Sequence, residues 1–379
     1  MLPLLLLLAA DKLPPDLALV PRDALWFASA RPADLAAMPA LKDAFAHRGM
    51  KRALRPLGEW KTGLEGLERV TAFSRRVFAP SRFDFGEDYR LWPRMKIYRT
   101  AKPYDKDALA AAMKATVEAK AHGKTFRVED VPPGRDRLCV WMADERTFVV
   151  CYSPREMALY LAALAKGGEE HPLAKELEAA AGKAPATFAA RPSAAIIDAE
   201  AMNRVRAVWR REGIERYGIF RKPDAKEPER PPAKEPSLEE EKDPEMAPKP
   251  LSEALALASP LTRPFWRARL LTGAFGIDAK TGEATLKMRA TYADEDAAGD
   301  GETLAAFALS LPREGGKAKK LPAGIADLLG KLEGTARRDG SEVVLEAKAK
   351  PGAAAVPHLL YWGTWLSFGD LEQRGKDDD

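Results

Sequence analysis

The chain has 379 residues, room for two domains or three small ones, with 46% hydrophobic and 31% charged residues. Those shares exclude a collagen, a coiled-coil rod and a wholly disordered chain. Lys plus Arg number 60 and Asp plus Glu 56, so the net charge is +4, too mild a balance to imply a nucleic-acid partner.

Residues 1–10, Met-Leu-Pro-Leu-Leu-Leu-Leu-Leu-Ala-Ala, form an uncharged apolar run ending in two small residues. The run is shorter than the ~20 residues a membrane span needs and matches the hydrophobic region of a secretory signal peptide. No Lys or Arg precedes it, and Leu8 stands where a small residue would favour cleavage after Ala10. The expectation is export, with a buried first element of a cytosolic protein as the alternative. No other uninterrupted apolar stretch approaches 18 residues, so an integral membrane protein is not expected.

Downstream, residues 24–30 read as a strand and 34–47 as a helix. Residues 70–78 and 95–100 read as further strands. Asp105 opens a predicted helix with Leu109, Met113 and Val117 on one face, His122 as a cation at its end and Gly123 just past it. Strands follow at 125–129, 138–142 and 148–152. Ser153-Pro154-Arg155-Glu156 is a capping box with proline at the first helical position, predicting a helix to Gly167. A second helix is predicted over 172–181, with His171 at its entry, and a strand over 186–190.

The two cysteines, Cys139 and Cys151, lie in the last two strands of the run before the capping box. A three-residue loop at Asp144, Glu145 and Arg146 places them directly opposite each other. A disulfide and a pair of small buried hydrophobes are both compatible with that register. Neither cysteine has the spacing of a redox or zinc motif.

Residues 221–250 hold eight prolines and sixteen charged residues. Such a segment cannot bury enough apolar surface to offset its ordering entropy, so it reads as a disordered linker or long loop. It divides an N-terminal unit, 11–220, from a C-terminal unit, 251–379. In the second unit, 265–271, 274–278 and 284–292 read as strands and 303–309 as a helix. Asp339-Gly340 is the predicted turn between strands at 332–337 and 342–348. Segments 96–105 and 287–296 share a strand, a Thr and an acidic approach to a helix, a weak internal similarity. The fold class is α+β: two related units of antiparallel sheet, each with helices packed on one face, joined by the Pro- and charge-rich linker.

Four stretches carry a resemblance: residues 13–24 (LPPDLALVPRDA), 99–109 (RTAKPYDKDAL), 144–150 (DERTFVV) and 171–174 (HPLA). Together they resemble an uncharacterised family of exported bacterial proteins with repeated α+β units. The resemblance covers much of 13–190 and, more loosely, 250–309. It implies export and duplication, and it supplies no catalytic residues.

Residue patterns for chemistry are sparse. His47, His122, His171 and His358 are mutually out of helix or hairpin reach, and no H-E-x-x-H, G-x-S-x-G, phosphate-loop or dinucleotide motif occurs. No catalytic, cofactor-binding or metal-binding residue is therefore assigned, and no cofactor is expected. Basic and aromatic residues interleave at 75–83 and at Trp209-Arg210-Arg211, a mixture that can bind anions or flank strand and helix ends. Tyr361, Trp365 and Phe368 share one helical face, with Trp362 and Leu366 beside it. They form either a docking surface or the cover of the C-terminal sheet. The expected function is a non-enzymatic binding or scaffold module of the bacterial envelope, its partner an envelope protein or polysaccharide. A hydrolase whose site forms only in three dimensions and a cytosolic interaction protein are the alternatives.

Overall fold

The computed structural model describes residues 13–38, 66–75, 95–131, 137–166, 171–182, 184–197, 250–255, 262–278, 281–315 and 332–349. In chain order its elements are a 3-10 turn at Leu17–Leu19, β1 Trp26–Ala30, α1 Pro32–Ala36, β2 Leu67–Ser74 and β3 Met95–Thr100. Then come α2 Lys106–Ala112, β4 Val117–Ala121, β5 Lys124–Val128, β6 Cys139–Met142, β7 Thr147–Cys151, α3 Pro154–Ala165, α4 Ala174–Ala181 and β8 Ala186–Ala190. A short helical segment at 192–197 follows. The remainder is α5 Leu251–Ala254, α6 Arg263–Arg267, β9 Leu270–Ile277, β10 Ala284–Thr291, α7 Glu295–Gly315, β11 Glu333–Asp339 and β12 Glu342–Ala349.

All the strands among the described residues belong to one twelve-stranded sheet in the order β11-β12-β10-β9-β8-β1-β2-β3-β7-β6-β5-β4, and each neighbouring pair is antiparallel. The mixed α+β class therefore stands. Two separate sheets were expected, one per half; instead β8 pairs with β9 from Ala186↔Phe275 to Ala190↔Leu271. At this seam β9 carries Gly273, where a Cβ would come within 2.2 Å of the Phe188 ring. The aromatic side chain fills the space a side chain on β9 would need.

Alternation along the strands sorts the core onto two faces. One face carries Phe27, Phe73, Ile97, Val149, Trp141 and Phe126, packed with Leu17, with Met157 and Tyr160 of α3 and with Leu177 of α4. The opposite face carries Val70, Tyr98, Phe148 and Val140, covered by Leu109 of α2 and by Met113 just after it. On that same second face, Ala290 and Val343 pack with Ala297 and Ala298 of α7. Helices thus cover both faces of the N-terminal strands, which corrects the expectation of cover on one face. The reason is that β2, β3, β6 and β7 carry apolar residues at consecutive positions, so neither face can be left to water.

Local differences have local causes. The helix from Asp105 begins as predicted, with the Asp105 carboxylate accepting from the amides of Asp107 and Ala108. It ends at Ala112 rather than running to Gly123, because Lys114 adopts φ 56° and the chain turns into β4. His122 is consequently not a helix-end cation: His122 and Gly123, at φ 49° and 71°, form the two-residue hairpin turn between β4 and β5. Residues 265–267, the start of an expected strand over 265–271, instead lie in α6, which has Pro264 near its first turn, and β9 begins only at Leu270. The β11–β12 turn is Gly340-Ser341, one residue later than predicted, with Gly340 at φ 58°.

The two halves share an order of elements. Strand β1 leads through Arg31-Pro32 into α1, and β8 leads through Arg191-Pro192 into the 192–197 segment. Each half then has two paired strands, a helix approached through an aspartate cap, and a hairpin with a two-residue turn. Where β1 and β8 meet, Arg31 N donates to Pro185 O at 2.9 Å and Arg191 N to Leu25 O at 2.7 Å, a reciprocal pair. The β6–β7 hairpin, α3 and α4 have no counterpart among the described residues of the second half.

Candidate functional site

The strongest concentration of buried charge lies where β2, β3 and β7 meet the 3-10 turn. Asp16, just before that turn, and Arg69 of β2 are almost wholly buried. Arg69 Nη1 donates to Asp16 Oδ1 at 3.2 Å and to Oδ2 at 3.0 Å. The register puts Arg69 opposite Arg99 and Arg99 opposite Thr147, making a polar row across three strands. Arg99 Nε lies 3.8 Å from Asp16 Oδ1 and donates to Glu68 Oε2 at 3.2 Å. Glu68 also accepts from Arg146 in the β6–β7 loop, whose Nε donates to the Thr100 carbonyl at 2.9 Å.

This network runs from a dry end at Asp16 and Arg69 to a half-buried end at Glu68 and Arg146. At the dry end Arg69 Nε and Thr147 Oγ1 have no hydrogen-bond partner. The guanidinium groups offer only hydrogen-bond donors and no acceptor. Both carboxylates are already committed to arginines. The arrangement is suited to bracing β2, β3 and the N-terminal segment against one another, and removing one partner from such a cluster is costly.

A second polar patch supports the same end of the sheet. The Tyr104 hydroxyl reaches the carbonyls of Asp144 and Thr147 at 2.9 and 3.1 Å; burial, then the Asp144 charge, raises its pKa far above the ordinary value. On the first face, Tyr160 of α3 hydrogen-bonds the Leu19 carbonyl at 2.9 Å, and burial pushes its hydroxyl well up. His171 joins α4 to the N-terminal segment. Its Nε2 lies 3.1 Å from the Pro21 carbonyl and its Nδ1 accepts from Leu173 N at 3.0 Å. That pair of contacts defines a neutral ring protonated on Nε2. Desolvation lowers its pKa against the pull of the backbone carbonyls, with Arg22 and Arg191 adding to the lowering.

Compared with known proteins, the chain matches no family model, no curated protein and no solved structure.

Cys139 and Cys151 sit directly opposite each other, with the three-residue loop 144–146 beyond them. Both are fully buried free thiols in this structure. Tyr361, Trp362, Trp365 and Phe368 lie outside the described residues, as do His47, His358 and Trp209-Arg210-Arg211. Of the basic and aromatic stretch at 75–83, only Arg75 is described, and it forms a two-pronged pair with Asp23, Nε donating at 2.9 Å. Among the described residues no group of three His, Cys, Asp or Glu could hold a metal ion. No helix among them is long and apolar enough to cross a membrane.

The Asp16 network escaped the sequence reading, although a signal was present. Arg69 alternates with Leu67, Thr71 and Phe73, and Arg99 with Met95 and Ile97, so each charge falls on the period-two face that carries large apolar residues. A charged residue at an inward position calls for a buried counter-ion.

Proposed function

We propose that the chain is an exported, non-enzymatic binding or scaffold module of a bacterial envelope, built from a duplicated α+β unit. The observation that carries the reading is the outer end of the sheet, where β10, β11 and β12 turn a broad polar face to solvent. On that face Lys287 pairs with Glu346 at 3.4 Å, Arg289 with Glu342 at 3.5 Å and Lys348 with Glu333 at 3.3 Å. These exposed cross-strand pairs add little stability, while an array of both charges on one sheet face suits recognition of a polar partner, an envelope protein or polysaccharide.

Duplication is supported by the repeated element order, by the Arg-Pro step after β1 and β8, and by the reciprocal hydrogen bonds between them. Export is supported by the apolar first ten residues and by the family resemblance of 13–24, 99–109, 144–150 and 171–174. The test has two arms. The full chain, expressed in a bacterium, is fractionated and its N-terminus sequenced; processing near Ala10 and recovery from the envelope are expected, and an intact Met1 in the cytosol overturns export. The purified chain is then sedimented with washed cell-wall polysaccharide. Retention lost on replacing Lys287, Arg289 and Lys348 by Ser is expected; no retention by the unaltered chain, or retention indifferent to those changes, overturns polysaccharide binding by this face.

A further inference from the structure

We propose that Cys139 and Cys151 join as an intrachain disulfide when the chain folds in an oxidising medium, making the β6–β7 hairpin a covalent modification site. Its use in the cell rests on the exported reading above; the chemistry itself does not.

The geometry selects this pair. Cys139 faces Cys151 in register, on the same face of the sheet, and each thiol donates to a backbone carbonyl, Cys139 Sγ to Arg137 O at 3.4 Å and Cys151 Sγ to Ser153 O at 3.3 Å. They are the only cysteines of the chain, so no third thiol within it competes. Directly opposed residues hold their Cβ atoms about 4.5–5.5 Å apart, and a bridge needs about 3.5–4.5 Å. Cys139 and Cys151 occupy a hydrogen-bonded position of the ladder, as Ala143 N donating to Thr147 O sets the alternation, so their Cβ atoms start at the wide end of that range and the two strands must close by about 1 Å or more for the bridge to form.

The reaction requires an external disulfide as oxidant, such as glutathione disulfide or a protein disulfide donor of the envelope. The thiolate of one cysteine attacks a sulfur of the oxidant and expels a thiolate, which takes up a proton. The second cysteine, deprotonated in turn, attacks the mixed disulfide and expels the other thiolate. Two cysteine thiols are oxidised to one disulfide, and one disulfide is reduced to two thiols.

The fold also sets when this happens. Both sulfurs are wholly buried beneath α3, and burial followed by the neighbouring thiol raises the pKa of Cys151 well above its ordinary value. A buried, protonated thiol is a poor nucleophile. Oxidation therefore belongs to the open hairpin, whose partners are close in sequence and meet early, before α3 closes over them.

The full chain is unfolded and reduced, then refolded in glutathione disulfide, and its thiols are counted in denaturant alongside the intact mass. The expected product has no free thiol, a mass lower by two hydrogens and no adduct. Folded, reduced protein in the same buffer keeps both thiols over the same period. A Cys139→Val chain, refolded alike, carries either one free thiol or one glutathione on Cys151. Native-like refolded protein with two thiols, glutathione adducts or only intermolecular dimers overturns the bridge. Oxidation of folded protein as fast as that of refolding protein overturns the timing. These results are read in vitro, so a failure of export leaves them unchanged, and a failure of the bridge leaves the processing assay unchanged.

Discussion

Replacing Asp16 by Ala removes the one carboxylate that pairs with Arg69 among the described residues, and the cost follows from the geometry. Arg69 Nη1 sits 3.0 Å from Asp16 Oδ2, and the two side chains are 4% and 1% exposed. At an effective dielectric constant near 20, opposite charges at that distance attract by roughly 5 kcal/mol. The desolvation of Arg69 persists in the variant, its Nε is already without a partner, and Arg99 loses a counter-charge. The expected destabilisation is about 3–5 kcal/mol, the range for breaking a buried pair from one side. Urea unfolding followed by far-ultraviolet circular dichroism reads it as a lowered midpoint at constant slope. Asp16→Leu combined with Arg69→Met removes both charges and is expected to recover most of the loss. A single variant within about 1 kcal/mol of the parent would refute the reasoning, since it would mean that Arg69 finds water or another acceptor at no cost.

Other perturbations test other parts of the molecule. Gly273→Ala drives a methyl group into the Phe188 ring and is expected to cost about 1–3 kcal/mol, recovered in part by adding Phe188→Leu; an unchanged melting temperature would exclude the β8–β9 register. Ser153→Ala removes the hydroxyl that accepts from Glu156 N at the long distance of 3.5 Å, so the expected loss is roughly 0.5–1 kcal/mol, at the low end for an N-cap, and denaturant midpoints decide it. His171 has a folded pKa below its unfolded value of 6.5, so its contribution is present above pH 6.5 and declines as the pH falls from there toward the folded value. His171→Gln is expected to flatten that part of the stability profile between pH 7 and 5, and a slope identical to the parent's would exclude the assignment.

Much of the strand content was legible because it is written in short range. Runs such as Met-Lys-Ile-Tyr-Arg-Thr and Ala-Thr-Phe-Ala-Ala carry their own period and turn signals, and β3 and β8 match the predicted bounds. The capping serine of α3 and the loop at 144–146 are likewise local chemistry. The stretch after Asp105 was misread because Leu109, Met113 and Val117 fit a helical face as well as they fit a helix followed by a strand. Alternation of Glu118 and Lys120 with Ala119 and Ala121 was the signal for β4. What no local pattern could reveal is the pairing of β1 with β8 and of β8 with β9, which joins segments far apart in the chain. The Asp16 network likewise depends on pairing between distant segments, that of β2 with β3 and of β3 with β7, since its members come from those three strands, a loop and the N-terminal segment.

The central position of β1 has a consequence for the order in which the molecule is made. During vectorial synthesis β1 emerges among the first elements and acquires β2 on one side, yet its other partner starts only at Ala186. Throughout the interval the nascent chain presents Trp26–Ala30 as an unfinished edge with free backbone donors and acceptors, the kind of template on which foreign strands assemble. The late arrival of β8 closes that edge and simultaneously creates the next one, which β9 must close in turn. Growth of the sheet beyond β1 is thus a relay through β8, β9 and β10, closed when β12 of the last hairpin pairs with β10, and the period of greatest vulnerability to misassembly falls between completion of α3 and the release of β9.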